Sequence, residues 1–355
     1  MAGLIFREAL PEDHAALETL FRETSMAGKI RIGSDRAPDF FAGSRVQAEE
    51  TCVWGVFSDD GRAVGIFSMG MRRVWLNQQQ VPMRYLSDLR IHPDWRNGTM
   101  LAKGFRTMRE NVFEKGEWAQ TLVLEENLPA LEFLRSRRAG LPEYREAGRY
   151  RNWLLPAQKM PMPVHPVRHA RAEDLPAMQL LLDGFSRLRS FSPVIDLRNL
   201  GDAYLNGLAV EDFLVAEDSG EIIGMMALWD QSPFQRLRVD GYSMVMTAFR
   251  PLWNLGTRLL GGIPLPAPGN ALPIVKASMI ACSGDDPAIF RSLLAFAFPL
   301  FMGKILLIGL SEKDALTAAL DGLKGRKFGG LHFLVGWEGE PPAWEEPFGF
   351  DAARI

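Results

Sequence analysis

Cysteine, histidine and tyrosine are scarce in this chain, with 2, 5 and 5 residues among 355. Cys52 and Cys282 lie far apart inside apolar stretches. That excludes a disulfide framework and a cysteine-rich zinc site, and it fits a reducing cytoplasm. His14, His92, His165, His169 and His332 are never spaced to put two on one helical face beside an acid, so no metal is expected. A basic surplus is missing as well. With 40 Lys and Arg against 43 Asp and Glu, the net charge is −3, and no global field draws a nucleic-acid backbone. No Gly-x-Ser-x-Gly elbow occurs. The opening residues MAGLIFRE carry no basic segment followed by an apolar run, so no export signal is read. The longest apolar stretch, Leu293 to Leu310, is broken by Pro299, Gly303 and Lys304. A span needs about 20 mostly apolar residues, so a buried helix followed by a buried strand is expected instead of an integral membrane segment.

What the chain does have is enough apolar material for two cores. Hydrophobic residues make up 47% and charged residues 23% of a length beyond that of a usual single core. The division can be placed by internal similarity. Ile5 to Asp13 precedes the helical pattern Ala16, Leu17, Leu20, Phe21, and Pro166 to Asp174 precedes Ala177, Met178, Leu181, Leu182. Each reads as a short strand, an acidic helix start and an amphipathic helix. Val53 to Met69 and Phe213 to Leu228 each read as a β-hairpin, turning at Asp59-Asp60-Gly61 and Asp218-Ser219-Gly220. Thr121 to Leu124 and Ile305 to Leu310 are apolar strands, each followed by a helix. The expected organisation is a first domain over 1–157, a proline-rich linker over 158–166, a second domain over 167–337 with an insertion at about 230–273, and a tail over 338–355.

The most chemically suggestive segment is Ile91 to Ala102. An apolar strand ends at Pro93, then Arg96 and Gly98 open an amphipathic helix. A helix start presents unpaired N–H groups and the positive end of its dipole, which suits a phosphate-bearing ligand.

In its order of elements and in this turn, the chain resembles the GNAT superfamily of acyl-CoA-dependent N-acyltransferases. The resemblance implies an α/β fold with a mixed sheet, here as two tandem domains of which the second is degenerate. It implies that acetyl-CoA or another acyl-CoA binds with Arg96, Asn97, Gly98, Thr99, Met100, Leu101 and Ala102 at the pyrophosphate. It further implies that Asp88 to Ile91, including the backbone of Leu89, Arg90 and Ile91, lies along the pantetheine arm, with Asn127 before the next helix. Thr99 and Leu101 stand where the family carries small residues, and Gly98 falls one position earlier. In the second domain Cys282 to Pro287 takes the corresponding place, and Asp285 and Asp286 would repel a pyrophosphate.

Acyl transfer to an amine requires removal of a proton, polarisation of the thioester and protonation of the departing thiolate. Asp88 on the central strand is the first candidate base and Glu125 the second. Tyr144, the nearest phenol beyond Asn127, is the candidate acid and is expected in a loop over the cleft. The expected acceptor is a small amine or amino acid, with neither nucleic acid nor metal involved. The apolar insertion could line the acceptor cleft, wall a lipid-like acyl chain or form a homodimer contact. Two other readings stay open: an acyl carrier protein-dependent N-acyl amino acid synthase, and a non-catalytic scaffold whose loops do not close on CoA.

Overall fold

The computed structural model describes residues 3–24, 30–96, 99–136, 140–260 and 264–355. Its first half runs β1 (Leu4–Glu8), α1 (His14–Glu23), β2 (Ile30–Asp35), α2 (Ala42–Arg45), β3 (Glu50–Ser58), β4 (Ala63–Leu76), β5 (Gln79–Ile91), α3 (Met100–Asn111), β6 (Trp118–Leu124), α4 (Leu128–Leu134) and β7 (Glu143–Pro156). The second half runs β8 (Val167–His169), α5 (Leu175–Ser186), β9 (Ser192–Pro193), β10 (Phe213–Asp218), β11 (Glu221–Trp229), β12 (Arg236–Tyr242), α6 (Met244–Leu260), β13 (Ile274–Cys282), α7 (Pro287–Ala297), β14 (Ile305–Ser311) and β15 (Arg326–Gly336).

The local chemistry accounts for the elements. In α1 the buried Leu17, Leu20 and Phe21 form one stripe, and in α3 Met100, Gly104, Phe105 and Met108 do the same. The two expected hairpins are present, turning through Gly61 at φ +80° and Gly220 at φ +86°, backbone angles that favour glycine. The apolar stretch at Leu293 resolves into the end of α7 and strand β14. Among the described residues, no helix is long and apolar enough to cross a membrane.

One continuous mixed sheet joins the two halves in the order β1-β3-β4-β5-β6-β15-β7-β14-β13-β11-β10-β8. Read outward from its centre, the order is the same on both sides: a donated strand, a parallel pair, a hairpin and a short edge strand. The pairs β5·β6 and β13·β14 are parallel and the other ladders are antiparallel. The last strand of each half has crossed over. The strand expected to complete the first half, β7, pairs with β14, whereas β15 pairs with β6. The two crossed strands pair with each other along Arg326 to Gly336.

Tyr150 faces Gly330 near the middle of this seam. The buried Tyr150 ring lies over Gly330, where a Cβ would collide with the phenol oxygen. α3 and α4 cover one face of the sheet through Phe67, Met69, Leu86 and Phe333, and α7 covers the same face through Leu306 and Ile308. α1 and α5 lie on the other face. The tail crosses that face as a strap: Phe350 stacks on Tyr150 at 4.2 Å, and Gly148 and Gly309 leave room for Phe348 and Phe350.

Three details lie beyond what the sequence reading described. The segment after α1 contains β2, which pairs antiparallel with β12 of the insertion, so the insertion reaches back to the first half. The helix expected from Ala315 is a 3-10 segment, Ala315–Leu320, capped by Asp314. The helix after Asn127 is short, Leu128–Leu134.

Replacing Gly330 by valine drives a branched side chain into a ring held in place by Phe350. A loss of about 3 kcal/mol is expected, with a single cooperative melt for both halves. Overlaid far-ultraviolet circular dichroism and tryptophan fluorescence transitions check this; separate transitions would contradict a shared seam.

Candidate functional site

The β5 and β6 strands pair in parallel at Arg84–Ala119, Tyr85–Gln120 and Leu86–Thr121. Beyond that rung the pairing ends, although β5 continues to Ile91 and β6 to Leu124. The Thr121 hydroxyl closes the last rung by donating to the Leu86 carbonyl at 2.9 Å. β5 remains tied to β4 on its other edge as far as Ile91, and β6 to β15 as far as Leu124. The result is a V-shaped opening whose β5 arm presents main-chain polar groups, which require partners.

The opening coincides with a bulge. The β4·β5 register slips between Ile66 and Ser68, and Asp88 takes φ +56°. A non-glycine residue in the left-handed region is strained, and bulges of this kind re-aim a side chain. Here the carboxylate is turned onto the face opposite α3. It pairs with Arg36 at 2.8 Å and accepts from the Ser68 hydroxyl at 3.0 Å. Arg36 is buried and is itself held by the Ser44 hydroxyl at 3.0 Å, while its backbone N–H donates to Glu18 at 2.7 Å.

The turn after β5 leads directly to α3. Arg96 donates through Nε to the Ile91 carbonyl at 3.1 Å. Thr99 is the N-cap of α3 but its side chain makes no capping bond, so among the described residues the first-turn N–H groups of Met100, Leu101 and Ala102 have no cap from it. Met100 is buried against Val56 and Val64, Leu101 is half-buried, and Ala102 is exposed. Asn97 and Gly98 lie outside the described residues. Asn127 is the exposed N-cap of α4, again without a side-chain capping bond.

The remaining sequence candidates are dispersed. Leu89 is exposed, whereas the Arg90 side chain points away, stacking on Phe21 at 3.9 Å and donating to the Thr24 carbonyl at 3.2 Å. Burial lowers its guanidinium to about 10. Glu125 is paired with Arg151 at 3.0 Å and Arg149 at 3.6 Å, and Arg151 also holds Glu312 at 2.9 Å. This acid therefore belongs to a clamp across the seam between the halves. Tyr144 is in strand β7, not in a loop over the cleft. Its ring packs edge-on against Phe333 at 5.8 Å in the core beneath α3 and α4, and burial raises its phenol.

The second half repeats the geometry and closes it. β13 and β14 pair only from Ile274–Ile305 to Lys276–Leu307, and Met279 takes the bulge position with φ +48°. Here Arg189 occupies the end of the opening. It pairs with Asp314 at 2.7 Å and Asp285 at 2.8 Å, and lies 3.4 Å from the Phe185 ring. Asp286 caps α7 by accepting from the Ala288 N–H at 2.8 Å. A cavity of about 50 Å3 remains, walled in part by Arg189, Met279, Leu310 and Phe350. Asp285 is thus neutralised by Arg189, and Asp286 already supplies the anion at α7's first turn.

Sequence reasoning missed the polar groups on the face opposite α3: Arg36, Arg72, Gln120, Lys276, His332 and Arg354 are all buried. For Arg72, Gln120, Lys276 and His332 the signal was a charged or polar residue inside an otherwise apolar strand, as in Ile274 to Cys282 around Lys276. Among the described residues, no cluster of His, Cys, Asp and Glu forms a metal site.

No family model matches the chain, and no curated protein does. Solved structures do match in fold. The N-myristoyltransferase of Saccharomyces cerevisiae with bound myristoyl-CoA superposes with a TM-score of 0.59 at 11% identity, over 100% of this chain and 84% of that one. A GCN5-related N-acetyltransferase from Anabaena variabilis gives 0.50 at 11% identity, over 94% and 72%. A conserved protein of unknown function from Enterococcus faecalis, titled a probable N-acyltransferase, gives 0.50 at 8% identity over the same shares. The architecture is therefore that of the GNAT fold, with a mixed α/β sheet spanning two lobes.

Lys276 supplies a pH test of the buried polar face. Burial pushes its ammonium from 10.5 down to about 8, Arg36 adds to the fall, and Asp351 opposes it. The native state then binds fewer protons than the unfolded state between pH 8 and 10.5, so stability rises with pH across that window. Lys276→Met should abolish the rise and stabilise the protein at pH 7 by up to about 3 kcal/mol. Urea denaturation at pH 7 and pH 10 reads both effects.

Proposed function

We propose that this chain is an N-acyltransferase that takes its acyl group from acyl-CoA, acetyl-CoA or a longer homologue, and passes it to a small amine or amino acid. The observation that carries the reading is the opening between β5 and β6, which runs past the Asp88 bulge to a helix start that its N-cap side chain leaves unbonded. The same opening in the second half is sealed by Arg189. This asymmetry supports placing the donor in the first lobe, 1–157, and a supporting role on the acceptor side in the second, 167–337. The myristoyl-CoA bound by the yeast structure is a donor of the proposed class.

In this reading the amide-rich pantetheine arm takes the place of the missing strand, exchanging hydrogen bonds with the main chain of Asp88 to Ile91. Its pyrophosphate meets the N–H groups of Met100, Leu101 and Ala102, with Arg96 alongside and Asn127 bordering the other arm of the V; Asn97 and Gly98, also expected to contribute, lie outside the described residues. Leu101 narrows the approach of phosphate to the backbone, because a side chain stands where a bare backbone would permit the closest contact.

The thioester carbon would lie beside the bulge, with the acceptor amine on the Asp88 face. The amine attacks that carbon and passes its proton to Asp88, the C–S bond breaks as the amide forms, and the proton goes on to the departing thiolate, which leaves as the free thiol of CoA. Asp88 is fixed by Arg36 and Ser68, so it serves through its remaining lone pairs, directly or through one water. Glu125 and Tyr144 are engaged elsewhere, in the seam clamp and the core, and the reading does not need them. It places the reaction in the cytoplasm and requires no metal.

Thermal-shift titration with CoA, acetyl-CoA, octanoyl-CoA and myristoyl-CoA tests the donor. Wild type should be stabilised by at least one acyl-CoA, and Arg96→Glu should bind it about tenfold more weakly, roughly 1.4 kcal/mol. No shift with any of the four, or an unchanged shift in the charge-reversed variant, would favour the non-catalytic scaffold. Acyl transfer from an acyl carrier protein without any response to CoA thioesters would favour the carrier-dependent synthase.

A further inference from the structure

Helix α6 (Met244–Leu260) is amphipathic in the opposite sense to α1 and α3. Those helices turn their apolar stripe inward. In α6, at 3.6 residues per turn, Met244, Val245, Ala248, Leu252 and Leu255 fall within about 100° of one another around the axis. All five are exposed, Met244 to 90%, Val245 to 78% and Leu252 to 65%. Phe249 and Trp253 border this stripe with their rings 6.1 Å apart, and both are exposed as well.

The polar side of α6 is turned to the chain and is satisfied there. Asn254 exchanges two hydrogen bonds with the Leu265 main chain, donating to its carbonyl at 3.1 Å and accepting from its N–H at 2.7 Å. Arg250 donates through Nε to the same carbonyl at 3.2 Å, and the Tyr242 hydroxyl donates to the Pro266 carbonyl at 2.7 Å. The returning chain thus packs on the polar side, and the pairing of β12 with β2 anchors the helix start. The apolar side is left facing outward, and an exposed stripe of this kind marks a surface made for a partner.

Charge narrows the choice of partner. From Gly241 to Pro273 the sequence has no aspartate or glutamate, although the chain carries 43 of them, and its charged residues there are Arg250 and Arg258. The acid just before this segment, Asp240, is bound to Arg238 at 2.7 Å. Arg31 of β2 lies with its guanidinium against Gly241, shortly ahead of α6. Neither Arg31 nor Arg250 has an ion-pair partner among the described residues. A second copy of the chain fits this face poorly, because it would bring the same arginines together. The area is also small. At 1.5 Å per residue the 17 residues of α6 make a helix about 26 Å long, whose stripe of about 10 Å width offers about 260 Å2. A standard protein interface takes roughly 800 Å2 from each partner. A lipid surface needs no such area and no matching shape.

We propose that the outer face of α6 seats the chain on an anionic lipid surface. The helix lies along the surface, with its apolar side chains in the headgroup boundary and Arg31 and Arg250 near the lipid phosphates. It does not cross the bilayer: a span needs about 20 mostly apolar residues, and α6 carries Arg250 and Pro251 in its middle. This inference does not rest on the acyltransferase reading.

Co-sedimentation of the full chain with vesicles tests it, using phosphatidylcholine alone and phosphatidylcholine with about a third phosphatidylglycerol. The mixed vesicles should bind the protein at least tenfold more tightly than the neutral ones. Val245→Glu with Leu252→Glu should weaken that binding at least tenfold while keeping the wild-type melting temperature, since both side chains are exposed. Arg31→Glu should weaken binding to the mixed vesicles and leave binding to the neutral ones as it is. Should the double variant fail to fold, Arg31→Glu and the comparison of the two vesicles decide. No binding to either vesicle, equal binding to both, or unchanged binding in the double variant overturns the proposal. Sedimentation velocity without lipid supplies a further check: a dimer that the double variant dissociates would give the face to a second copy, and a monomer in both supports the lipid surface. If the face instead walled the acyl chain of a donor, the double variant would lose the extra thermal shift of myristoyl-CoA over CoA, and that result also overturns the proposal.

Discussion

The pairing of β7 with β15 is the constraint on which the rest of the molecule depends. Neither half completes its own sheet, because each gives its last strand to the other. This makes the seam continuous in main-chain hydrogen bonds and fixes the register of every strand outward from it, since a slip by one residue would turn each side chain to the wrong face. The contact of Tyr150 with Gly330 holds that register, and the tail covers it through Phe348 and Phe350. A contact between two domains joined only by side chains would permit relative motion; a shared sheet does not.

The two openings in this sheet share a plan and differ in chemistry. Each follows a parallel pair that ends after three rungs, with a left-handed residue at the bulge. In the first, the bulge residue is an acid matched to an arginine from elsewhere in its own half, and the N-cap side chain of the following helix, Thr99, makes no capping bond. In the second, the bulge residue is methionine, an aspartate caps the helix, and Arg189 fills the position where an anion's counter-charge would be expected. Buried charge is tolerated there because each partner is hydrogen-bonded within the chain.

Much of this was legible in the sequence where local rules decide. The hairpins, the paired repeats, the strand before Pro93 and the helix after Arg96 follow from periodicity and turn residues. The acids at Asp285 and Asp286 already argued against a second anion site. Other features depend on contacts between distant residues, and no local pattern carries them. The exchange of β7 and β15 is invisible because a strand's sequence states that it is buried on both faces and not which neighbours it has. Tyr144 was expected near a cleft from its position after a glycine-proline turn, but apolar neighbours drew it into the core. Arg36, Arg72, His332 and Arg354 lie up to hundreds of residues apart in the chain, so only folding assembles them. For Arg72 and His332 the mark in the sequence was local inconsistency, a polar residue within an apolar strand, which is where functional or strained positions concentrate; Arg36 and Arg354 lie outside the strands and carry no such mark.

The crossed strands also impose an order on synthesis. β6 has β5 on one side from the moment both exist, but its other edge stays bare until β15, at Arg326–Gly336, has been made. β7 likewise waits for β14. The first lobe therefore spends most of translation with an open sheet edge, the kind of surface that invites pairing with other chains. The opening between β5 and β6 keeps its shape only once β15 grips the far side of β6. A prematurely terminated chain would thus carry the residues of the first lobe without its framework, and competence is gained by the whole chain together.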